Sequence, residues 1–355
     1  MDFSANSYYR GMKKEEKIMP GLGLFTHGTH VSLISERLRV ETPPENGQDS
    51  SPARRDVPLF DVEYVIALES VSITIPVIAE LMRRNIPLVI VSMKHTVTGL
   101  CIPPLMKGNL RLVQYKTALE YEFALNFAKL CVKAKIFNSK RLIQRLSANR
   151  HGKNFEELYS SFDFLMAKTD EAQSLETIRG YEGTAAGRYF EAINSFFPDD
   201  CPFEYRSRRP PHNAANALLS FGYTMLNAEI ESVIYASGLD PSIGFYHETE
   251  DNRPSLALDL MEPFRAPLID AMALDLLNHK ILKPAEHFEE SGGGVLLNRE
   301  GRKRFFVAYE KRMNREFISE KTGARTTLRG EVYNQVHSLK ECFLNHTKFT
   351  PFFMN

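Results

Sequence analysis

A chain of 355 residues is too long for one small core, and with 43% hydrophobic and 25% charged residues it can fold without disulfide or metal staples. Formal net charge is zero, 44 basic against 44 acidic residues, so any case for nucleic acid must come from local asymmetry. Cys101, Cys131, Cys201 and Cys342 are far apart with no C-x-x-C pair, which excludes a finger-type zinc site and fits a reducing cytosol.

Residues 1–20 are polar and read as an N-terminal extension without the apolar stretch of a signal peptide. No apolar run reaches the roughly 18 residues of a membrane span, so a soluble cytoplasmic protein is expected. Residues 21–102 carry short apolar runs rich in β-branched side chains, at 22–25, 31–34, 38–40, 64–67, 71–75 and 88–91. Residues 42–56 read as a loop by composition. A short helix is expected over 76–84, with Pro76 in its first turn and Pro87 shortly beyond its end. The G-L-G-L-F stretch at 21–25 lacks the third glycine and the following helix of a phosphate-binding loop.

Residues 103–109 read as a linker, and beyond them the pattern is helical. One long helix is expected over 110–135, with Leu119, Phe123, Phe127 and Leu130 on its apolar face. Further helices are expected over 214–236, 256–278, 302–317 and 328–344. The fold class is therefore α+β, a small β-rich N-terminal domain (21–102) followed by a larger all-α domain (110–355).

Candidate chemistry centres on 247–265, H-E-T-E-D-N-R-P-S-L-A-L-D-L-M-E-P-F-R. Ser255 is the expected N-cap of a helix on which Asp259 and Glu262, three apart, share a face. Paired carboxylates repel unless a cation sits between them. With His247 they form a donor set suited to Mg²⁺ or Mn²⁺ rather than structural zinc. Pro263 removes a backbone bond and kinks the helix beside them. The bland alternative is a polar loop histidine and two solvated carboxylates; the apolar residues around Asp259 and Glu262 leave little room for a solvated face.

Glu182 lies in R-G-Y-E-G-T-A-A-G-R-Y-F, where small residues allow either close helix packing or close approach of a phosphate. Basic residues cluster at 131–153, which includes Lys135, Arg141 and Arg145, at Arg206, Arg208 and Arg209, and at 299–315. Arginine forks suit phosphates, and three such stretches in a neutral protein are either a nucleic-acid groove or ordinary solvated helix faces.

Taken together, these elements resemble a known family, the CRISPR-associated endonuclease and integrase of the spacer-acquisition module. The resemblance rests on G-L-G-L-F-T-H-G-T-H-V-S-L-I-S-E-R-L-R-V, P-L-F-D-V-E-Y-V-I-A-L, Y-E-G-T-A-A-G-R-Y-F, R-R-P-P, N-A-L-L-S-F-G-Y-T-M-L, G-F-Y-H and S-L-A-L-D-L-M-E-P-F-R, in that order. It implies Glu182, His247 and Glu262 as metal ligands, with Asp259 an accessory acid, all four belonging to the catalytic set. Arg265 and the arginines around Arg208 would contact DNA. It further implies a dimer through the β-rich domain, double-stranded DNA as substrate, and a small ferredoxin-fold partner subunit. The chain departs from the family at His212-Asn213-Ala214-Ala215, where an acidic residue is common. Two other readings use the same residues: a metal-dependent nuclease on branched or single-stranded DNA without integration, and a non-catalytic DNA-binding scaffold.

Overall fold

The computed structural model describes residues 21–44, 51–92, 97–103, 107–148, 154–320 and 322–355. The N-terminal extension, residues 45–50 of the loop expected over 42–56 and part of the linker lie outside them.

The N-terminal region comprises β1 (Gly21–Leu24), β2 (His30–Ile34), β3 (Arg37–Thr42), β4 (Ala53–Pro58), β5 (Tyr64–Leu68), β6 (Ser72–Ile73), α1 (Ile75–Arg83), β7 (Leu88–Val91) and β8 (Val97–Cys101). Two four-stranded sheets result, ordered β1-β5-β7-β8 and β4-β3-β2-β6. The end of the expected 42–56 loop is strand: β4 pairs antiparallel with β3 from Arg37↔Pro58 to Thr42↔Ala53. Its A-R-R-D-V-P sequence looks like a loop because most of its side chains are exposed, and Arg39–Asp56 and Arg54–Glu41 ion pairs join the two strands. The apolar run at 71–75 yields only the two-residue β6, because α1 begins at Ile75.

β5 explains how two cores can share one sheet. Successive side chains point to opposite faces. Tyr64, Ile66 and Leu68 enter the large helical core, whereas Val65 and Ala67 enter a smaller one with Leu38 and Val40 of the second sheet and Val77 and Leu81 of α1. A strand buried on both faces needs the unbroken apolar run Y-V-I-A-L found there.

The helical region follows: α2 (Gly108–Ala118), α3 (Tyr121–Ser147), α4 (Glu156–Glu171), α5 (Leu175–Asn194), α6 (Ala214–Ser237), α7 (Ser255–Met261), α8 (Ala271–Asn278) and α9 (Pro284–His287). A hairpin of β9 (Phe288–Ser291) and β10 (Gly294–Leu297), α10 (Arg299–Met313), a second hairpin of β11 (Glu316–Ile318) and β12 (Arg325–Thr327), and α11 (Leu328–Asn345) complete it. The single helix expected over 110–135 is two, and Leu119, assigned to its apolar face, is 88% exposed at the break. No Gly or Pro marks that break. α2 is held by tertiary bonds instead, Gln114 Nε2 donating to the carbonyls of Asp240 (2.8 Å) and Ile243 (3.3 Å). The helix expected to reach residue 317 stops at Met313, and Glu316–Ile318 pair as strand with Arg325–Thr327. Asn213, within the segment that departs from the family pattern, caps α6 by accepting from Asn216 N–H at 2.8 Å.

A buried network joins the two regions. Tyr64 OH on β5 donates to Glu229 Oε1 on α6 at 2.5 Å. Arg329 on α11 donates to the same oxygen at 2.7 Å and to Glu310 Oε1 on α10 at 2.7 Å.

Candidate active site around Glu182, His247 and Glu262

The segment carrying Glu262 is a distorted continuation of α7. Pro263 has no N–H to give back to the chain, and the backbone tightens into a 3-10 turn over Glu262–Phe264, then widens into a π turn over Arg265–Asp270 before α8. Such a break leaves carbonyls without helical partners, and buried carbonyls must be paired. Two side-chain amides pair them. Gln335 Nε2 on α11 donates to Leu260 O at 2.7 Å, and Asn138 Nδ2 on α3 donates to Pro263 O at 2.7 Å. The same amides hold the C-terminal tail: Phe352 N–H donates to Gln335 Oε1 at 2.8 Å and Met354 N–H to Asn138 Oδ1 at 2.7 Å. Phe352 stacks on Phe264 with ring centroids 4.9 Å apart. Glu262 is thus clamped between α3, α11 and the tail. Ser255, expected to cap α7, does not; its hydroxyl donates to Glu248 O at 2.6 Å, and Pro254 stands at the cap position.

Asp259 is fully buried and collects the loop before it. Its Oδ2 accepts from the N–H groups of Phe245 (2.7 Å) and Tyr246 (3.0 Å), and its Oδ1 from His247 N–H (2.8 Å). Oδ1 is also 2.7 Å from His247 Nδ1. A carboxylate in that position keeps the proton on Nδ1 and leaves Nε2 with a free lone pair, the arrangement typical of a metal-binding histidine. The turn demands a glycine at 244, since a Cβ there would stand 2.7 Å from His247 O.

Glu182 comes from α5, whose first turn is capped by Ser174 Oγ accepting from Thr177 N–H. Tyr246 OH donates to Glu182 Oε2. Burial and the adjacent Glu182 push the Tyr246 hydroxyl above its ordinary pKa, so it remains a donor. Gly180, Gly183 and Gly187 are exposed and face open space, with no atom near where a Cβ would stand. They are therefore not explained by close helix packing, and they leave bare backbone on either side of Glu182 in the chain.

Lys135 of α3 joins the two carboxylates. Its Nζ bonds Glu182 Oε1 and lies 2.6 Å from Glu262 Oε2, while Arg265 Nε donates to that same Oε2 at 3.1 Å. Burial works to raise the Glu262 pKa, but Arg265, Lys135 and His247 outweigh it and hold the carboxyl at about 2. For Lys135, burial works downward, and Glu262 with Glu182 outweighs it to raise the ammonium above its ordinary pKa. Among the described residues no three His, Cys, Asp or Glu side chains are gathered tightly enough to chelate a metal ion, and it is the Lys135 ammonium that bonds to both glutamates.

The structure thus brings Glu182 and Glu262 onto one lysine, with His247 acting electrostatically on Glu262 and Asp259 behind the imidazole. Of the basic residues singled out by composition, Arg265 is half-buried over the Tyr223 ring, 4.6 Å from its centroid. Arg206 is turned inward, donating to Asn216 Oδ1 at 2.9 Å and Ser220 Oγ at 3.0 Å. Arg208 and Arg209 are exposed, Arg141 is half-buried, and Arg145 donates to Asn355 O at 2.6 Å. Lys133 and Lys140 pair with Asp170 and Asp163 of α4, so much of the acid-free run on α3 serves helix packing. Composition grouped Lys135 with those lysines. The signal that separates it is its spacing, four after buried Cys131 and seven before buried Leu142, on the inward stripe of α3. Tyr246, Asn138 and Gln335 carried no comparable signal.

The family model described as CRISPR associated protein Cas1 matches residues 22–311. A CRISPR-associated endonuclease Cas1 of Thermus thermophilus is 34% identical over 297 residues, covering 83% of this chain and 87% of the relative. A Cas1 protein of known structure from Thermotoga maritima superposes with a TM-score of 0.71 at 27% identity, covering 92% of this chain and 97% of that one. A chain of a Cas6-RT-Cas1–Cas2 complex shares the fold, with a TM-score of 0.73 at 23% identity over 97% of this chain and 37% of the other. On this evidence the chain belongs to the Cas1 family, the CRISPR-associated endonuclease and integrase of spacer acquisition.

Proposed function

We propose that Glu182, His247 and Glu262 hold one Mg²⁺ or Mn²⁺ ion at which a DNA 3′-hydroxyl is joined to the CRISPR repeat. The observation that carries this reading is the convergence of Glu182 and Glu262 on one point, with a histidine that acts electrostatically on Glu262 and has its Nδ1 tied to a buried carboxylate. Two carboxylates and an imidazole fit a hard divalent ion that keeps some of its water. When bound, such an ion would supply positive charge to a phosphate oxygen in the transition state. Asp259 orients the imidazole. Tyr246 fixes the Glu182 carboxylate, and Arg265 holds Glu262.

DNA provides the nucleophile, so no side chain need form a covalent intermediate. The incoming 3′ oxygen forms a P–O bond, the bond to the old 3′ oxygen breaks, and the proton lost by one hydroxyl balances that gained by the other. The count of phosphodiesters is unchanged, so the joining step needs no nucleotide hydrolysis. The glycine-bare surface of α5 leaves room for a sugar–phosphate backbone near Glu182. Exposed Arg208 and Arg209 are suited to contact phosphates, with Arg141 and Arg145 extending the basic surface along α3.

In this reading the β-rich residues 21–102 make a homodimer, the helical residues 110–355 carry catalysis, double-stranded DNA is the substrate, and a small ferredoxin-fold adaptation subunit bridges dimers in the cytoplasm. Glu262→Ala and His247→Ala are each expected to abolish joining of a 3′-hydroxyl fragment to a supercoiled repeat plasmid, as is EDTA with the wild-type protein. Wild-type rates in Glu262→Ala would overturn the site. Gel analysis separates joining from hydrolysis alone, since joined products arise only in strand transfer.

A further inference from the structure

Glu182 and Glu262 contribute two negative charges to the centre of the site, and Lys135 and Arg265 contribute two positive charges in direct contact with them. The neighbouring carboxylates have hydrogen-bond donors of their own. Asp259 takes three backbone N–H groups and the His247 ring, and Asp270 takes the hydroxyls of Tyr189 (2.7 Å) and Tyr223 (2.5 Å). The four-charge group is therefore neutral as it stands, in a setting where Glu262 is 3% exposed and Lys135 19% exposed.

A divalent ion taking both carboxylates would leave this buried group with two excess positive charges and a lysine without its anions. Burying unpaired charge is strongly unfavourable. A DNA phosphate arriving with the metal removes most of that excess and offers the displaced ammonium a new partner. We propose that Lys135 is a placeholder cation that keeps the glutamates apart from metal in the free enzyme and transfers to the scissile phosphate when metal and DNA enter together. The inference rests on the metal-site reading above and deepens it, because it makes metal binding conditional on substrate. Coupling of this kind is reciprocal: DNA must tighten metal by the same factor by which metal tightens DNA.

The test is Mn²⁺ binding by calorimetry, with and without a branched DNA lacking the reactive 3′-hydroxyl, on wild type, Lys135→Met, Lys135→Arg and Glu262→Gln. Circular dichroism melting accompanies each variant to establish folding. Wild type is expected to bind Mn²⁺ at least about tenfold more tightly with DNA present. Lys135→Met is expected to bind Mn²⁺ more tightly than wild type without DNA and to lose most of the coupling; Lys135→Arg, which keeps the charge, retains it. If Lys135→Met binds Mn²⁺ like wild type in both conditions while Glu262→Gln abolishes binding, the metal site stands and the placeholder role is overturned. If Glu262→Gln binds Mn²⁺ like wild type, the metal-site reading itself fails, and the inference with it.

Discussion

At the scale of single residues, burial without a partner and burial with one have opposite consequences for pH. Glu262 is buried against Arg265, Lys135 and His247, and its carboxyl is held down at about 2. A depressed carboxyl stabilises the fold above its unfolded pKa, and that contribution is lost as pH falls through the folded value, so Glu262 weakens the fold only below about pH 4.5. Glu231 on α6 is 8% exposed, and burial alone pushes it up to about 7. Here the sign reverses. A raised carboxyl costs nothing below its unfolded pKa, and stability falls as pH rises toward and through the folded value. Glu231→Gln is therefore expected to stabilise the protein by about 2 to 3 kcal/mol at pH 8 and by almost nothing at pH 4, read from denaturant titrations at the two values. Equal effects at both would mean that the carboxyl is not perturbed. Sequence made His247, Asp259, Glu262 and Glu182 legible as residue types able to hold a metal. It did not reveal that Asp259 is taken up by three backbone N–H groups of the loop before it, because a three-residue spacing says which face of a helix two side chains share and not which loop packs against that face.

At the scale of elements, α5 carries three exposed glycines at a cost of about 1 kcal/mol each relative to alanine. Among the described residues nothing lies close enough to require them. Gly183→Ala with Gly187→Ala is expected to raise stability by about 1 to 2 kcal/mol, visible as a higher melting temperature. Gly183→Leu, which keeps most of the helical gain, is expected to weaken binding of branched DNA because its side chain fills the approach to Glu182. Unchanged DNA affinity in Gly183→Leu would mean that the bare surface of α5 does not take DNA. Strands with alternating or unbroken apolar runs, such as β5 and β7, and helices with a clear apolar stripe, such as α6, were legible from periodicity. β4, the break between α2 and α3, and the two short hairpins after α9 were not. Exposed charged side chains disguise β4, and tertiary bonds from Gln114 hold α2 on a separate course from α3 where local composition would have run them together.

At the scale of the whole molecule, the Tyr64–Glu229–Arg329–Glu310 network ties the β5 sheet to α6, α10 and α11 inside one continuous core. Removing one member of a buried pair leaves an uncompensated charge and costs about 3 to 5 kcal/mol. Arg329→Met is accordingly expected to lower the melting temperature by several degrees, with the two regions still unfolding in one calorimetric transition. Two resolved transitions in the wild type would show that the network does not join them. The clamp behind Glu262 has a different consequence, one of timing. Polypeptides emerge from the ribosome N-terminus first, and domains fold as they appear. Glu182, His247 and Glu262 are all synthesised before Phe352 and Met354, whose backbone groups complete the bonding of Gln335 and Asn138. The amides that pair the carbonyls flanking Glu262 therefore complete their own bonding only once Phe352 and Met354 have been made, so the backing of this glutamate is assembled about 90 residues after the glutamate itself.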